Sequence, residues 1–168
     1  MYKSKSTNFH ECKEAFQTLL KNLPKHDNVS IVAHSFGSGI STYALSETDI
    51  SVDKLIFLTS PNIIEDIFIE FKKLIGLNHK SYNLLKKKAD QVLGEPLEEL
   101  IMEEKLKSVK FNHLHLIHDI HDKIIPYSNT VSMNKAIKNS TISSYENVGH
   151  YRMLWNPEII SKSIGFLG

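Results

Sequence analysis

Residues 29–39 read VSIVAHSFGSG, an apolar run that passes through a serine into a cluster of small residues. This pattern predicts a β-strand, a tight turn at Ser35 and a helix that begins directly after the turn. Such a turn lifts the serine side chain clear of the sheet and aims the next backbone N–H, that of Phe36, at an oxygen beside it. Ser35 is therefore a candidate nucleophile, and Phe36 is a candidate oxyanion-hole donor.

The pentapeptide Ala33–Gly37 matches the pattern G-x-S-x-G except that alanine replaces the first glycine. We expect small residues at both ends because the strand end and the start of the helix should approach closely. Taken alone, the pentapeptide has a second interpretation, in which Ser35 is the N-cap of an ordinary helix.

Two later segments carry polar residues directly after predicted strands. The segment Leu114–Pro126 is an apolar strand followed by a polar turn that contains Asp122. The segment Tyr145–Leu154 is a strand end that runs through a glycine to His150. Because the carboxyl ends of parallel strands lie on one edge of a sheet, these two residues and Ser35 can converge there.

With these three motifs in this order, the chain resembles the carboxyl-terminal portion of an α/β-hydrolase over nearly its whole length. The elbow of that family corresponds to Ala33–Gly37, its D-x-x-[VI]-P acid turn to Asp122–Pro126, and its G-H turn to Gly149-His150. The usual His-Gly pair before the acid turn is here His118-Asp119, so Asp119 is a second candidate for the acid. Asp122 is preferred because it keeps the spacing to the isoleucine-proline pair.

The resemblance implies an α/β fold with a doubly wound, mostly parallel sheet. We expect a single domain over residues 1–168, truncated at the amino terminus, with residues 62–108 as an inserted helical cap. The implied function is that of a serine hydrolase acting on an ester or related acyl substrate, without cofactor or metal. In that mechanism Ser35 attacks, His150 takes and returns the proton, and Asp122 orients the imidazole.

Hydrophobic periodicity predicts four strands separated by helices. An amphipathic helix over residues 9–23 should stop at Pro24. The predicted strands are 29–33, 54–59, a strand that ends at 118, and 141–146, and the further helices are 37–45, 82–92, 97–106, 127–138 and 157–166.

Only one helix precedes the elbow strand, so we expect the strands that normally come before it to be missing. The loop that supplies the second oxyanion N–H would be missing with them. The elbow strand would then have an unpaired edge, which suggests either a fragment of a longer hydrolase or a homodimer formed through that edge. A non-catalytic relative that serves as a binding or interaction module remains the alternative function.

The histidines offer a metal site as a further alternative. His113, His115 and His118 approach an H-x-H-x-D-H pattern, but Ile117 stands where the pattern needs a carboxylate. In a strand the first two histidines share one face and the third points to the other face, so they would not close a site. His34 and His121 are interpreted as elbow and turn residues, and His10, His26 and His79 as surface residues.

Composition excludes several other classes of function. The formal net charge is +1 and Arg152 is the only arginine, which argues against nucleic-acid binding. A single cysteine excludes an internal disulfide, and no apolar run approaches the length of a membrane span. No apolar signal-peptide core follows residues 1–6. We therefore expect a cytoplasmic protein with a small-molecule acyl substrate, no nucleic-acid partner and no membrane association.

Overall fold

The computed structural model describes residues 7–24 and 28–168. The expectations for residues 1–6 and for His26 lie outside these ranges. The described chain alternates strands with helices in the order that the sequence predicts. Its helices include none with the length and apolar composition that crossing a bilayer requires.

A four-stranded sheet forms the centre of the described chain. The strands are β1 (Ser30–His34), β2 (Ser51–Leu58), β3 (Lys110–Asp119) and β4 (Ser140–Tyr145). They lie in the order β1-β2-β3-β4, and every neighbouring pair is parallel. The predicted parallel α/β sheet is therefore confirmed, and all four carboxyl ends share one edge of it.

Helices fill the connections between the strands, as parallel pairing requires. The helices predicted over residues 9–23, 37–45, 127–138 and 157–166 are confirmed within two residues at each end. The helices are α1 (Phe9–Asn22), α2 (Phe36–Ser46), α3 (Ile64–Ile75), α4 (His79–Leu93), α5 (Met102–Leu106), α6 (Tyr127–Ala136) and α7 (Pro157–Leu167), with short 3₁₀ turns at Leu97–Glu99 and Arg152–Trp155.

The single helix predicted over residues 97–106 is wrong. A 3₁₀ turn ends at Glu99, and α5 begins only at Met102. Between them Ile101 forms an antiparallel bridge with Ile63, and the N–H of Ile64 donates to the carbonyl of Leu100 at 3.1 Å. This long-range pairing takes two residues out of the helix. The role of residues 62–108 as a cap stays a prediction.

Side chains from both faces of the sheet are buried against helices. On β2, Leu55 and Phe57 belong to the larger core, whereas Ile56 and Leu58 belong to the smaller one. Successive strand residues point to opposite faces, so these two cores lie on opposite sides of the sheet. The members of the larger core that lie on helices or 3₁₀ turns are Leu20, Tyr43, Leu45, Leu97, Met102, Leu106 and Met133, and those of the smaller core are Met153 and Ile159. The sheet is therefore doubly wound, as predicted.

Strand β1 lies at one edge of the sheet. Within the described residues it pairs with β2 and with no second strand. The side chain of Val32, in the middle of β1, is 52% exposed. A homodimer through this edge stays a prediction.

We expect Phe57→Ala to lower the free energy of unfolding by about 3 to 5 kcal/mol, because Phe57 is fully buried on a central strand. Val32→Ala, which changes a half-exposed side chain on the edge strand, should lower the free energy of unfolding far less and serves as the control. Urea unfolding followed by circular dichroism measures both. Equal losses in the two variants would contradict this placement of the core.

Candidate active site

A backbone elbow at Ser35 links β1 to α2. The N–H of Ser35 donates to the carbonyl of Leu58 at 2.9 Å, which continues the pairing of β1 with β2 by one residue. Ser35 then has φ 52° and ψ −121°, and α2 begins at the next residue. A positive φ at a residue other than glycine costs on the order of 1 to 3 kcal/mol, and such strain is concentrated at functional sites. The turn leaves Ser35 at the carboxyl edge of the sheet.

Two buried serines, Ser38 and Ser60, support the elbow through hydrogen bonds. The hydroxyl of Ser38 donates to the carbonyl of Ser35 at 2.5 Å and lies 2.8 Å from the hydroxyl of Ser60, at the end of β2. The N–H of Ser38 donates to the same carbonyl at 3.0 Å. Both serines are buried, so the strained turn is held by hydrogen bonds that water does not weaken.

The expected close approach at Gly37 is wrong. A Cβ built on Gly37 would meet no atom within 4 Å. Gly37 therefore lies on the side of the first turn of α2 that faces open space, whereas Ser38 in the same turn is buried. The small residue that packing does require is Ala33, which is buried at the end of β1.

The structure brings together the three residues expected to meet. The Nε2 atom of His150 lies 2.9 Å from the Oγ atom of Ser35, and its Nδ1 atom lies 2.8 Å from Oδ2 of Asp122. A carboxylate only accepts hydrogen bonds, so Nδ1 donates and Nε2 is left to accept the hydroxyl proton of Ser35. Ser35 occupies the N-cap position of α2 but makes no capping hydrogen bond with its side chain.

Asp122 is held as an ionised acceptor. Its Oδ1 atom accepts the N–H groups of Ile124 at 2.8 Å and of Ile125 at 3.1 Å, and its Oδ2 atom faces His150. Burial alone would raise the pKa of this carboxyl, but the hydrogen bonds from His150 and from the two N–H groups outweigh burial. The net effect lowers the pKa of Asp122, so the carboxylate is charged at neutral pH.

Asp119, the second candidate for the acid, has other partners. It is the last residue of β3 and is fully buried. Its Oδ1 atom accepts the N–H of His121 at 2.7 Å, and its Oδ2 atom accepts the N–H of Gly149 at 2.5 Å. The carboxylate thus joins the turn that carries Asp122 to the loop that carries His150. The geometry favours Asp122 as the partner of the imidazole.

Two residues that sequence reasoning did not assign to the site hold the His150 loop. His34 donates from Nε2 to the carbonyl of His150 at 3.0 Å, and burial is the main cause that lowers the pKa of His34. Arg152 donates from Nε to the carbonyl of Val148 at 2.6 Å and from Nη2 to that of Asn147 at 3.0 Å. Their sequence positions, next to Ser35 and two residues after His150, are the only signal that could have found them.

Gly149 and Asn147 give this loop its shape. They have φ values of 76° and 60°, in the left-handed region that glycine and asparagine tolerate best. The G-H pattern therefore reflects a backbone requirement one residue before the imidazole.

His118 supports the acid turn from inside the sheet. It is fully buried, and its Nε2 atom donates to the carbonyl of Ile125 at 3.0 Å while its Nδ1 atom faces the hydroxyl of Thr130. Burial is the main cause that lowers its pKa, so the ring is neutral. Its Nε2 atom also lies 3.5 Å from Oδ2 of Asp122.

The other histidines of the metal pattern lie apart from His118. His115 contacts the hydroxyls of Ser143 and Thr141, and His113 is exposed. Over residues 7–24 and 28–168, no cluster of three or more histidine, cysteine, aspartate or glutamate side chains is placed to hold a metal ion.

Comparison with known proteins finds similarity in structure. No family model matches the sequence, and no curated protein matches it in a sequence comparison. An esterase from Pyrococcus furiosus is similar with a TM-score of 0.65 and 18% identity, over 98% of this chain and 63% of its own. A serine hydrolase involved in carbazole degradation is similar with a TM-score of 0.68 and 14% identity, over 99% of this chain and 73% of its own.

A third solved structure, a meta-cleavage product hydrolase from Pseudomonas fluorescens, has a TM-score of 0.64 and 13% identity, over 99% of this chain and 73% of its own. The chain spans less than two thirds of the length of the Pyrococcus esterase, and at these identities the similarity establishes the fold alone. From the parallel sheet, the strained elbow and these similarities together, we conclude that the chain has the α/β-hydrolase fold.

Proposed function

We propose that this chain is a serine hydrolase that acts on an ester or related acyl substrate through Ser35, His150 and Asp122. The observation that carries the proposal is the continuous path of hydrogen bonds from Ser35 Oγ through the imidazole to Asp122, starting at a strained elbow. The similar structures include an esterase and a serine hydrolase, which supports the same class of reaction.

In the first step Ser35 Oγ attacks the carbonyl carbon of the substrate while its proton moves to Nε2 of His150. The carbonyl oxygen becomes an oxyanion, and the N–H of Phe36 donates to it. Because Phe36 is the first residue of α2, this N–H has no carbonyl partner within the helix. When the tetrahedral intermediate collapses, the bond to the leaving group breaks and Nε2 returns the proton to the leaving oxygen. An acyl-enzyme remains.

In the second step water attacks the acyl-enzyme and gives a proton to Nε2. The oxyanion forms again beside Phe36, and collapse releases the carboxylic acid and returns the proton to Ser35. Asp122 keeps the imidazole in the tautomer that accepts at Nε2 and stabilises the imidazolium that forms in each step. Its lowered pKa suits this role, because the carboxylate stays charged beside the cation.

A fluorophosphonate probe tests whether Ser35 is activated. We expect intact-mass spectrometry to show one adduct on the wild-type protein and none on Ser35→Ala, since a serine reacts only when a base accepts its proton. Ser161→Ala, which alters an exposed serine on α7, should keep the adduct. A folded protein without any adduct would refute the proposal and favour a non-catalytic binding or interaction module.

The two aspartates can be separated by matched substitutions. Asp122→Asn should reduce the rate of ester hydrolysis by about a thousandfold or more, because an amide can present its NH₂ to Nδ1 and favour the wrong tautomer. Asp119→Asn should reduce the rate much less and act mainly on stability, since its partners are two backbone N–H groups. Hydrolysis rates and thermal unfolding measure the two effects. The reverse order of rate losses would make Asp119 the acid.

The lowered pKa of Asp122 also predicts how stability depends on pH. A carboxyl whose pKa is lower in the folded state contributes stability above its unfolded pKa of about 3.9, and this contribution is lost as pH falls through the folded value. The difference in unfolding free energy between wild type and Asp122→Asn should therefore shrink as pH falls from about 5 through the folded pKa of Asp122. Urea unfolding at several pH values measures the difference, and a gap that does not change with pH would contradict the assigned shift.

A further inference from the structure

A cavity of about 600 Å³ lies between α1, α2, α3 and α4. Its walls are mainly apolar, and its volume lies within the range of small-molecule sites, about 300 to 1,000 Å³. Pro61, which follows β2, and Ile64, at the start of α3, contribute to its lining. No step described above assigns an occupant to this space.

The cavity follows one face of α2. Phe36, Gly39, Tyr43 and Glu47 all line it, and their spacing of three and four residues places them in one row along the helix. With a rise of about 1.5 Å per residue, the row from Phe36 to Glu47 is about 16 Å long. One end of the cavity therefore lies at Phe36, the residue after Ser35, and the other lies at the far end of α2.

Gly39 leaves the middle of this row open. A Cβ at Gly39 would lie 3.8 Å from both Sδ of Met102 and the ring of Phe9, which is ordinary contact. A larger side chain there would extend from this contact distance toward the cavity that Gly39 lines. The space beside α2 therefore depends on Gly39, which has no side chain.

The two ends of the cavity differ in polarity. Near Ser35 the lining includes Phe36, Pro61 and Ile64. At the far end Lys13 and Glu47 form an ion pair at 2.6 Å, and Lys105 lies 3.9 Å from Glu95. An apolar group that enters at Phe36 therefore runs along a mainly apolar wall before it reaches these ion pairs, although His10 and Lys88 also line the cavity.

The position of His150 decides which part of a substrate enters. His150 must return its proton to the leaving oxygen, so the leaving group lies toward the imidazole. None of Ser35, Asp122 and His150 lines the cavity, whereas Phe36, whose N–H faces the acyl oxygen in the proposed mechanism, does. The cavity is thus on the acyl side of the bond that breaks.

We propose that this cavity binds the acyl chain of the substrate, and that the preferred substrates are esters of straight medium-chain acids. The inference rests on the proposed hydrolase function. From Phe36 to Tyr43 the row is about 10.5 Å long. An extended chain advances about 1.2 Å per bond, so this length holds about nine bonds, or an acyl group of about eight to ten carbons. A longer chain would reach the ion pairs at the far end.

Chain-length specificity tests the proposal directly. The probes are the p-nitrophenyl esters of acetate, butyrate, octanoate, decanoate and palmitate. We expect kcat/KM to rise by up to about fourfold for each methylene group buried, to reach its maximum at octanoate or decanoate, and to fall at palmitate. Acetate esters of long alcohols should show no such gain, because the cavity lies on the acyl side.

A substitution inside the cavity should shift the optimum. Ala89, on α4, lines the cavity, so Ala89→Phe should move the maximum from octanoate or decanoate to butyrate. Ala15→Phe makes the same change on the exposed face of α1 and should leave the whole profile unchanged. If thermal unfolding shows that Ala89→Phe does not fold, Ala89→Leu gives the same test with a smaller shift.

Ligand binding separates failure of the cavity from failure of the catalytic site. Ser35→Ala should bind decanoate in calorimetry, and the double variant with Ala89→Phe should bind it at least tenfold more weakly. Hydrolysis with a flat or acetate-favouring profile that Ala89→Phe does not change would overturn the acyl-chain assignment and leave the hydrolase intact. Decanoate binding that needs Ala89, in a protein that hydrolyses no ester, would overturn both the hydrolase and the substrate assignment that rests on it.

Discussion

The strict parallel pairing of the four strands is the constraint on which the site depends. Parallel order β1-β2-β3-β4 brings the end of β1, which carries Ser35, and the end of β3, before Asp122, to one edge of the sheet. The hydrogen bond from Ser35 N–H to Leu58 fixes the elbow to the neighbouring strand. A slip of one residue in this register would turn every side chain of β1 to the other face. The distance between Ser35 and His150 is therefore set by the backbone ladder.

The parts of the site that the sequence predicts are those with local causes. The turn at Ser35 and the left-handed conformation of Gly149 depend on residues close by in the sequence, so the local sequence pattern predicts them. The choice between Asp119 and Asp122 rested on spacing to Pro126, and the structure adds the reason: β3 extends to Asp119 and directs its carboxylate to the N–H of Gly149. That direction depends on where the strand ends, which periodicity places only approximately.

The parts that the sequence does not predict depend on distant contacts. The break at Leu100 and Ile101 comes from pairing with the segment that follows β2, almost forty residues earlier in the chain. The hydrogen bond of His34 joins residues that are 116 positions apart. The open space at Gly37 likewise depends on how α2 packs against the rest of the fold. No pattern within a single segment carries such information.

Three residues from different elements hold the loop of His150: His34 at the end of β1, Asp119 at the end of β3, and Arg152 at the start of the 3₁₀ turn that follows the loop. The conformation of the loop therefore depends on the positions of both β1 and β3. Ser35 and His150 are 115 residues apart, so their contact requires a long segment of chain to be ordered between them. If Ser35 acts as proposed, the strained elbow therefore meets its base only when the sheet around it is complete.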